Sequence, residues 1–333
     1  MAEERFLILR MGALGDIIHT LPAVAALRES IPLARIDWLV DRKWSSLLAG
    51  NPDVTATIPM DRSHWPAIVA AVRQLRATQY TTVIDFQSLY RTAILGRLSG
   101  APRRVGFASS YARERGAPHF YTENITPQRR HKVEHNLELV EHLGAKARDI
   151  RFPLQVSPEA QEHVDSVLAA NGLQEFFVLS PGGGWGSKCW PAQRYGELHR
   201  AVAARYGWRG VINFGPGERE LAEIVQRTAG GPQSIMQMFD LPQLMALLRR
   251  AKFLVAADTG PLHLASALGT PVVGLYGPTD PARNGPFSRE DIVVRHAGAQ
   301  ETTYRRGKHP APSMLGITVE QVLDAIARRL RVG

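Results

Sequence analysis

The sequence predicts an α/β protein built from two doubly wound domains. Short apolar runs such as residues 5–10, RFLILR, and 253–257, FLVAA, have the composition of strands that are buried on both faces. Segments with helical periodicity separate these runs, and regular alternation of strands and helices indicates parallel sheets covered by helices. With 333 residues, of which 44% are hydrophobic and 21% charged, the chain is long enough to form two ordinary cores.

The first half of the chain shows this alternation. Predicted strands cover residues 5–10, 34–41, 54–59 and 81–85, and predicted helices cover residues 17–29, 44–48, 65–78, 91–98 and 131–143. Residues 100–128 are rich in glycine, proline, arginine and aromatic residues, which predicts a long irregular segment. We expect this segment to bind a phosphorylated ligand through its arginines.

The second half repeats the pattern after a proline-bounded linker at residues 148–157, which places the predicted domains at 1–152 and 153–333. Predicted strands cover residues 176–180, 210–214, 234–238, 253–257, 271–276 and 291–296. Predicted helices cover residues 157–171, 193–206, 218–228, 241–251, 262–268 and 318–330. The last helix packs either on its own domain or back on the first.

The amino-acid composition indicates the cellular compartment in which the protein works. The single cysteine, Cys189, excludes a disulfide framework and a cysteine-based zinc site, and it fits a reducing compartment. The N-terminus carries acidic residues and only a short apolar run, which is unlike a secretory signal. Apolar runs all fall short of the roughly 20 residues that span a bilayer. We therefore expect a cytoplasmic protein, with peripheral membrane contact as a further expectation.

Positive charge is concentrated in one segment. The formal net charge of the chain is +9, and residues 61–132 contain twelve basic and four acidic residues, hence a net charge of +8. Such a local excess indicates an anionic partner, for which nucleic acid, anionic lipid and a phosphorylated glycolipid are candidates. A solvated basic surface without a ligand is the alternative. The sequence shows no helix-turn-helix, zinc-finger or RNP pattern, which counts against a nucleic-acid-binding module.

The chain is organised around residues 253–281, which are typical of a strand, tight turn, helix, strand and loop. Thr259 is a candidate N-cap, and Pro261 suits the start of the helix. Strand ends and a helix N-terminus converge here, which is where α/β sheets bind ligands and where a phosphate is favoured. Asp258 and His263 are therefore candidate ligands of a sugar hydroxyl or a phosphate. Capping of the helix is the alternative role for Asp258 and Thr259.

A second candidate site follows the first strand. Residues 11–16, MGALGD, form a turn that lacks both the GxGxxG and the P-loop pattern, so neither dinucleotide binding nor NTP hydrolysis is supported. Asp16 starts the next helix, where it either offsets the helix dipole or presents a carboxylate able to act as a general base. His19 lies one turn later and either orients Asp16 or is an ordinary helix histidine.

A third candidate site is the glycine-rich loop at residues 181–191, PGGGWGSKCWP. Glycines in such a loop expose backbone N–H groups to a diphosphate, and Lys188 adds positive charge. A flexible loop without a ligand is the alternative. Phe239, with Met236 and Met238, either lines an adenine pocket or packs in the core.

Several segments resemble one known family. DTGPLHLA (258–265) followed by GTPVVGLYGPTDP (269–281), GALGDIIHTLPA (12–23) and SPGGGWGSKCWP (180–191) are similar to motifs of the lipopolysaccharide heptosyltransferases, glycosyltransferase family 9. RHKVEHNLELVEHLG (130–144) resembles the segment that ends the family's first domain. The resemblance implies a GT-B fold, in which two Rossmann-like domains face each other across a cleft. It also implies an N-terminal acceptor domain and a C-terminal nucleotide-sugar domain.

The resemblance implies inverting transfer of heptose from ADP-L-glycero-β-D-manno-heptose to the Kdo and heptose inner core of lipopolysaccharide. It implies no metal and no cofactor beyond the donor. Asp16 corresponds to the family's catalytic base, Lys188 to its donor-phosphate loop, and Glu218 to a ribose ligand. The donor-site candidates are Gly183, Gly184, Lys188, Glu218, Phe239, Asp258, Thr259, Gly260 and His263. The acceptor-site candidates, chosen for charge, are Arg62, Arg91, Arg103, Arg104, Arg113, Arg115 and Lys132.

Alternatives stay open at this point. A related GT-B transferase would use a different nucleotide sugar or acceptor, because family resemblance determines the fold better than the substrate. A nucleotide-sugar epimerase has the same two-domain build but leaves the basic segment unexplained. For the transferase we expect an anionic glycolipid partner, peripheral contact with the cytoplasmic face of the inner membrane, and no nucleic acid.

Overall fold

The computed structural model describes residues 4–61, 65–231, 234–298 and 301–331. The chain divides into two units, Met1–Gln155 and Val156–Gly333, with the boundary three residues after the predicted one. Each unit contains one six-stranded parallel sheet. Because the strands are parallel, the connections between them cross over as helices that cover the sheet faces.

The first unit has the strand order β3-β2-β1-β4-β5-β6. Its strands are β1 (Arg5–Leu9), β2 (Arg35–Asp41), β3 (Ala56–Met60), β4 (Thr82–Asp85), β5 (Arg103–Phe107) and β6 (Glu123–Ile125). Its helices are α1 (Leu14–Ile18), α2 (Leu21–Ser30), α3 (Trp65–Ala77), α4 (Tyr90–Leu98) and α5 (Lys132–Glu141), with 3₁₀ turns at Arg42–Leu48 and Ala117–Phe120. The strand order reverses at β1, so the carboxyl ends of β1 and β4 form a topological switch point.

The second unit has the strand order β12-β11-β10-β7-β8-β9. Its strands are β7 (Phe176–Ser180), β8 (Arg209–Asn213), β9 (Ile235–Gln237), β10 (Leu254–Ala257), β11 (Val272–Tyr276) and β12 (Ile292–Arg295). Its helices are α6 (Pro158–Ala170), α7 (Ala192–Tyr206), α8 (Arg219–Ala229), α9 (Leu241–Arg250), α10 (Gly260–Ala267), α11 (Pro281–Asn284), α12 (Pro312–Leu315) and α13 (Val319–Arg329), with a 3₁₀ turn at Gly186–Lys188. The last helix packs on α7, β11 and β12 of its own unit.

The apolar runs that predicted strands are buried as expected. Leu7 and Leu9 of β1 are fully buried in the first core, and Val255 and Val273 of β10 and β11 are fully buried in the second. Central parallel strands lose both faces to helices, which is why their sequences are apolar throughout rather than alternating.

The helix predicted at residues 17–29 is wrong, because the structure has two short helices, α1 and α2, in its place. Pro22 is the second residue of α2 and has no N–H to bond to the Ile18 carbonyl. The Thr20 hydroxyl donates to the Asp16 carbonyl at 2.9 Å between the two helices. The proline therefore confines Asp16 to a short helix directly beside the end of β1.

The irregular segment predicted at residues 100–128 is also wrong, because β5 and β6 lie within it. Gly106 is the fourth residue of β5, and a β-carbon there would come within 2.2 Å of the Tyr121 ring. The Tyr121 hydroxyl donates to Asp85 at 2.8 Å. Glycine here makes room for a ring packed against the strand, although in the sequence it indicates a loop.

His199 on α7 provides a test of the second core. Its side chain is 1% exposed, and its Nε2 accepts a hydrogen bond from the Gly210 N–H at 3.1 Å. Burial, reinforced by the charge of Arg209, lowers the pKa of His199 to about 4. The unfolded chain, with a histidine pKa of about 6.5, takes up this proton first as the pH falls, so folding stability is lost between pH 6.5 and 4.

We expect His199 to account for a loss of about 1–2 kcal/mol in the free energy of unfolding between pH 7 and pH 5. Urea unfolding of the wild type and of His199→Gln at both pH values measures this contribution. The variant is expected to lose less stability than the wild type over this interval. An equal loss in the two proteins would show that other groups cause it.

Among the residues that the structure describes, no helix combines the length and the apolar composition needed to cross a membrane.

Candidate active site

The first candidate site lies at the carboxyl edge of the first sheet. Asp16 is the third residue of α1, and two cations hold its carboxylate. The Arg10 guanidinium lies 2.8 Å from one carboxylate oxygen, and the Lys132 ammonium lies 2.9 Å from the other. Burial opposes ionisation, but the charges of Arg10 and Lys132 outweigh it and hold the pKa of Asp16 well below its ordinary value. Asp16 is therefore an ionised carboxylate.

Arg10 fixes the position of this carboxylate. It directly follows β1, is 8% exposed, and also donates to the Phe86 carbonyl at 2.5 Å. The adjacent Met11 N–H donates to the Gln87 side chain at 2.7 Å, so the turn after β1 is braced by the segment after β4. Sequence analysis missed Arg10. The signal that could have found it is its place at the carboxyl end of a predicted strand, just before the candidate turn.

Lys132, predicted as an acceptor ligand, is the more accessible partner of Asp16. It begins α5, whose N-cap residue His131 accepts a hydrogen bond from the Val133 N–H at 3.2 Å. Its side chain is 33% exposed, compared with 10% for Arg10. An anionic ligand can therefore reach Lys132 more easily than Arg10.

Replacing Lys132 with methionine is expected to raise the pKa of Asp16, because one of its two cationic partners is removed. With Asp16 as the predicted general base, the acidic limb of the kcat/KM profile then moves to higher pH, because the base becomes protonated sooner as the pH falls. Rates measured across the acidic range test this shift. Arg130→Met, at an exposed neighbouring position, is the control and should leave the limb in place. An unshifted limb in the Lys132 variant would contradict the prediction.

The predicted acceptor arginines fall into two groups. Arg103 makes a two-pronged contact with Glu123, at 2.6 and 2.9 Å. Arg104 donates to the carbonyls of Phe120 and Ala101, at 2.9 and 2.7 Å. These two guanidinium groups tie β5 to neighbouring segments of the chain, and their role as acceptor ligands stays a prediction. Arg91, Arg113 and Arg115 are exposed and stay predictions, whereas Arg62 lies outside the described residues.

The second candidate site lies at the carboxyl edge of the other sheet. Asp258 directly follows β10 and is 4% exposed. Its carboxylate lies 2.9 Å from the Lys188 ammonium and 3.2 Å from His263 Nε2, and it accepts a hydrogen bond from the Asn284 amide at 2.9 Å. Burial raises the pKa of Asp258, but the hydrogen bond from His263 and the charge of Lys188 outweigh burial and lower this pKa below the ordinary range.

Asp258, Lys188 and His263, all predicted as donor ligands, thus form one buried cluster. The contacts of Asp258 come from α10, which follows directly, and from the glycine-rich loop and α11, which lie further away in the sequence. Lys188 also lies over the Trp185 ring, 4.1 Å from its centroid. The cluster holds an ammonium group in place beside the glycine loop. Asn284 was missed, because nothing in its local sequence distinguishes it from an ordinary helix-end asparagine.

Packing and backbone conformation require glycine residues in this loop, in addition to any contact with phosphate. A β-carbon at Gly182 would lie 1.9 Å from a Glu218 carboxylate oxygen, and one at Gly183 would lie 2.6 Å from the Cys189 sulfur. Gly184 has φ of +72°, in the left-handed region. Glu218 itself accepts a hydrogen bond from the Gly215 N–H at 2.8 Å, just before α8.

The predicted capping of α10 by the Thr259 side chain is wrong. Thr259 occupies the N-cap position, but its hydroxyl donates to the Ala257 carbonyl at 3.1 Å and makes no cap hydrogen bond. Pro261, at the second helical position, lacks one of the N–H groups that such a cap would use. The N–H groups of Gly260 and Leu262 are therefore not capped by Thr259. This helix start keeps donors suited to an anion.

Phe239 is 8% exposed, whereas its neighbour Met238 is 54% exposed. Their assignment to an adenine pocket stays a prediction. Within the described part of the chain, no three or more histidine, cysteine, aspartate or glutamate residues are grouped so that they could hold a metal ion.

Comparison with known proteins defines the class. The profile of glycosyltransferase family 9 (heptosyltransferase) matches residues 68–312, which is well over half of the chain. The protein is therefore a glycosyltransferase with the α/β fold of GT-B enzymes. It belongs to glycosyltransferase family 9, which confirms the predicted family and fold class.

Individual relatives agree with this assignment. Lipopolysaccharide heptosyltransferase 1 of Pseudomonas aeruginosa is 30% identical over 304 residues, which cover 86% of this chain and 82% of that protein. Lipopolysaccharide core heptosyltransferase OpsX of Haemophilus influenzae is 28% identical over 299 residues, which cover 88% of this chain and 84% of that protein. The structure of Escherichia coli heptosyltransferase WaaC with ADP has a TM-score of 0.78 at 26% identity and covers 98% of this chain and 99% of that one.

Proposed function

We propose that this protein transfers heptose from ADP-L-glycero-β-D-manno-heptose to the Kdo and heptose inner core of lipopolysaccharide. The observation that carries the proposal is the similarity to lipopolysaccharide heptosyltransferase 1, which extends over 86% of the chain and hence over both units. The donor is supported by the likeness to a heptosyltransferase solved with ADP and with ADP-2-deoxy-2-fluoro heptose.

We assign the acceptor to the first unit and the donor to the second. The first assignment is supported by the charge of residues 61–132, which suits an anionic glycolipid. The assignment of the donor to the second unit is supported by three features: the Lys188 ammonium beside Asp258, the glycine loop and the helix start at Gly260. Together they offer cationic and N–H donors to a diphosphate.

The proposed reaction is a single displacement with inversion at the anomeric carbon. A bond forms between the acceptor hydroxyl oxygen and the anomeric carbon, while the bond between that carbon and the β-phosphate oxygen of ADP breaks. The hydroxyl proton passes to Asp16, which is ionised and held by Arg10. Lys188 and the N–H groups of the second site stabilise the charge on the departing ADP. The proposed mechanism uses no metal, and this absence stays a prediction.

ADP release from ADP-heptose, with and without a Kdo-lipid A acceptor, tests the proposal. Release that depends on the acceptor is the expected result. If the protein binds ADP-heptose but releases nothing with this acceptor, the proposed acceptor is wrong while the donor site stands. If it binds no ADP-sugar, the donor assignment fails, and UDP- and GDP-sugars become the next donors to test.

The proposed acceptor is a membrane glycolipid, so we also propose that the protein works at the cytoplasmic face of the inner membrane through peripheral contact. Support comes from the basic segment, because an anionic lipid surface attracts clustered arginine and lysine side chains.

A further inference from the structure

A basic segment between β12 and α12 lies against the glycine-rich loop. Residues 303–311, TYRRGKHPA, contain Arg305, Arg306 and Lys308 and no acidic residue. All three basic residues are exposed. We call residues 303–311 the basic strap. The sites described above make no use of its side chains, although the strap lies beside one of them.

Hydrogen bonds pair the basic strap with the glycine loop. The Ser187 N–H donates to the Gly307 carbonyl at 3.1 Å, and the Gly307 N–H donates back to the Ser187 hydroxyl at 3.3 Å. A β-carbon at Gly186 would lie 1.9 Å from the Lys308 carbonyl oxygen, so the two segments are in direct backbone contact. The strap is therefore fixed next to Lys188, which directly follows Ser187 in the chain.

The beginning of the strap is fixed at the same edge of the sheet. The Thr303 N–H donates to the Pro278 carbonyl at 2.7 Å, in the loop that follows β11. The next residue is Tyr304, and the Arg283 guanidinium lies 5.1 Å from its ring centroid. Arg283 belongs to α11, the helix that supplies Asn284 to the buried cluster. The strap therefore connects two loops of the second candidate site.

The Trp185 ring brings a cation of the strap close to the cation of the loop. The Lys188 ammonium lies 4.1 Å from the centroid of this ring, and the Arg306 guanidinium lies 5.4 Å from the same centroid. Lys188 is paired with Asp258, whereas Arg306 has no ion-pair partner among the residues that the structure describes. Two cations around one ring, one of them unpaired, suit a ligand with two phosphate groups.

The indole N–H of Trp185 also indicates a ligand at this point. Its nitrogen is shielded from solvent, and within the described part of the chain it has no hydrogen-bond acceptor. Buried N–H groups in native proteins are nearly always paired. A phosphate group brings strong acceptor oxygens, so a bound diphosphate supplies the partner that the protein itself does not offer.

We propose that the basic strap completes the diphosphate site and that Arg306 is a further donor-binding residue, positioned by the Trp185 ring. The guanidinium binds phosphate oxygens of the nucleotide sugar, and the Trp185 N–H donates to one of them. The attachment of the strap to Ser187 keeps this second cation beside Lys188. Both cations then face the charge that develops on the departing diphosphate. This inference deepens the proposed function and rests on it for the identity of the donor.

Calorimetric titration of the full chain with ADP and with adenosine tests the role of Arg306. Arg306→Met is expected to weaken ADP binding by about tenfold or more, the effect of losing a hydrogen bond between charged groups, and to leave adenosine binding unchanged. Arg205→Met is the matched control, because the exposed Arg205 guanidinium also lies 5.4 Å from a ring centroid, that of Tyr206, in the same unit. This control should bind ADP like the wild type.

Trp185→Phe keeps an aromatic ring but removes the indole N–H, and it is expected to weaken ADP binding by about tenfold. Trp208→Phe is its matched control. The Lys252 ammonium lies 5.6 Å from the Trp208 ring centroid, but the Trp208 N–H already donates to Glu175 at 3.0 Å. Trp208→Phe should therefore keep the ADP affinity of the wild type. Thermal midpoints of all four variants check that each is folded.

Unchanged ADP affinity in Arg306→Met would overturn the inference. An equal loss of ADP and adenosine affinity would overturn it as well, because it would show a general distortion of the site. If Arg306→Met loses affinity for ADP alone while the wild type transfers no heptose, the role of the strap stands and the proposed reaction fails. If the wild type transfers heptose and Arg306→Met binds ADP normally, the proposed reaction stands and the role of the strap fails.

The nucleotide itself is a separate outcome. A wild type that binds UDP in place of ADP, with a weaker affinity in Arg306→Met, would uphold the strap and correct the nucleotide of the donor. A wild type that binds neither nucleotide would overturn both the role of the strap and the proposed donor site.

Discussion

Replacing Asp16 with alanine is expected to lower turnover by about 10²–10⁴-fold, the usual contribution of a general base. In the proposed mechanism this carboxylate, which Arg10 and Lys132 hold in its ionised form, takes the acceptor proton. Donor binding should persist, because the proposed donor contacts lie in the second unit. Steady-state ADP release and equilibrium binding of ADP-heptose, measured on the same preparation, separate the two effects.

Asp16→Asn is the matched control for shape. It keeps the size of the side chain and removes its charge, so it should lose as much turnover as the alanine variant. Both variants leave the Arg10 guanidinium with its bond to the Phe86 carbonyl but without its carboxylate partner. Thermal midpoints are therefore measured alongside. More than a tenth of wild-type turnover in both variants, with normal stability, would place the base elsewhere.

Replacing Asp258 with alanine is expected to cost about 3–5 kcal/mol of folding stability, because it leaves the Lys188 ammonium buried without its counter-charge. The Lys188 side chain is only 9% exposed, and His263 and Asn284 lose the same partner. For a unit of this size the loss corresponds to a fall of about 10 °C in the thermal midpoint. Calorimetry of the wild type and the variant measures it.

A double variant shows whether the unpaired charge causes this loss. Asp258→Ala/Lys188→Met removes both charges and is expected to be more stable than Asp258→Ala alone. Asp165→Ala is the matched control, because Asp165 pairs with Arg250 in the same unit but is 46% exposed, and its loss should cost less than about 1 kcal/mol. If Asp258→Ala is no less stable than Asp165→Ala, the cluster does not stabilise the fold.

The local sequence was sufficient to predict an element of secondary structure where one property of the chain dominates. The buried runs around Leu7 and Val255 predicted their strands because a central parallel strand must be apolar on both faces. The local sequence did not predict the structure correctly where a residue has two roles. Gly106 indicates a loop but makes space for the Tyr121 ring, and Pro22 divides a helix that its periodicity predicts as continuous.

The fold class, the family and the places of the candidate sites could be predicted without the structure, because each site sits where a predicted strand meets a helix. Which side chains meet at these sites follows from the fold. Lys132 reaches Asp16 from 116 residues away in the chain, and Asn284 reaches Asp258 from 26 residues away. Such partners are chosen by sheet order and helix packing, which no local pattern of residues encodes, so the charge state of Asp16 became known only with the fold.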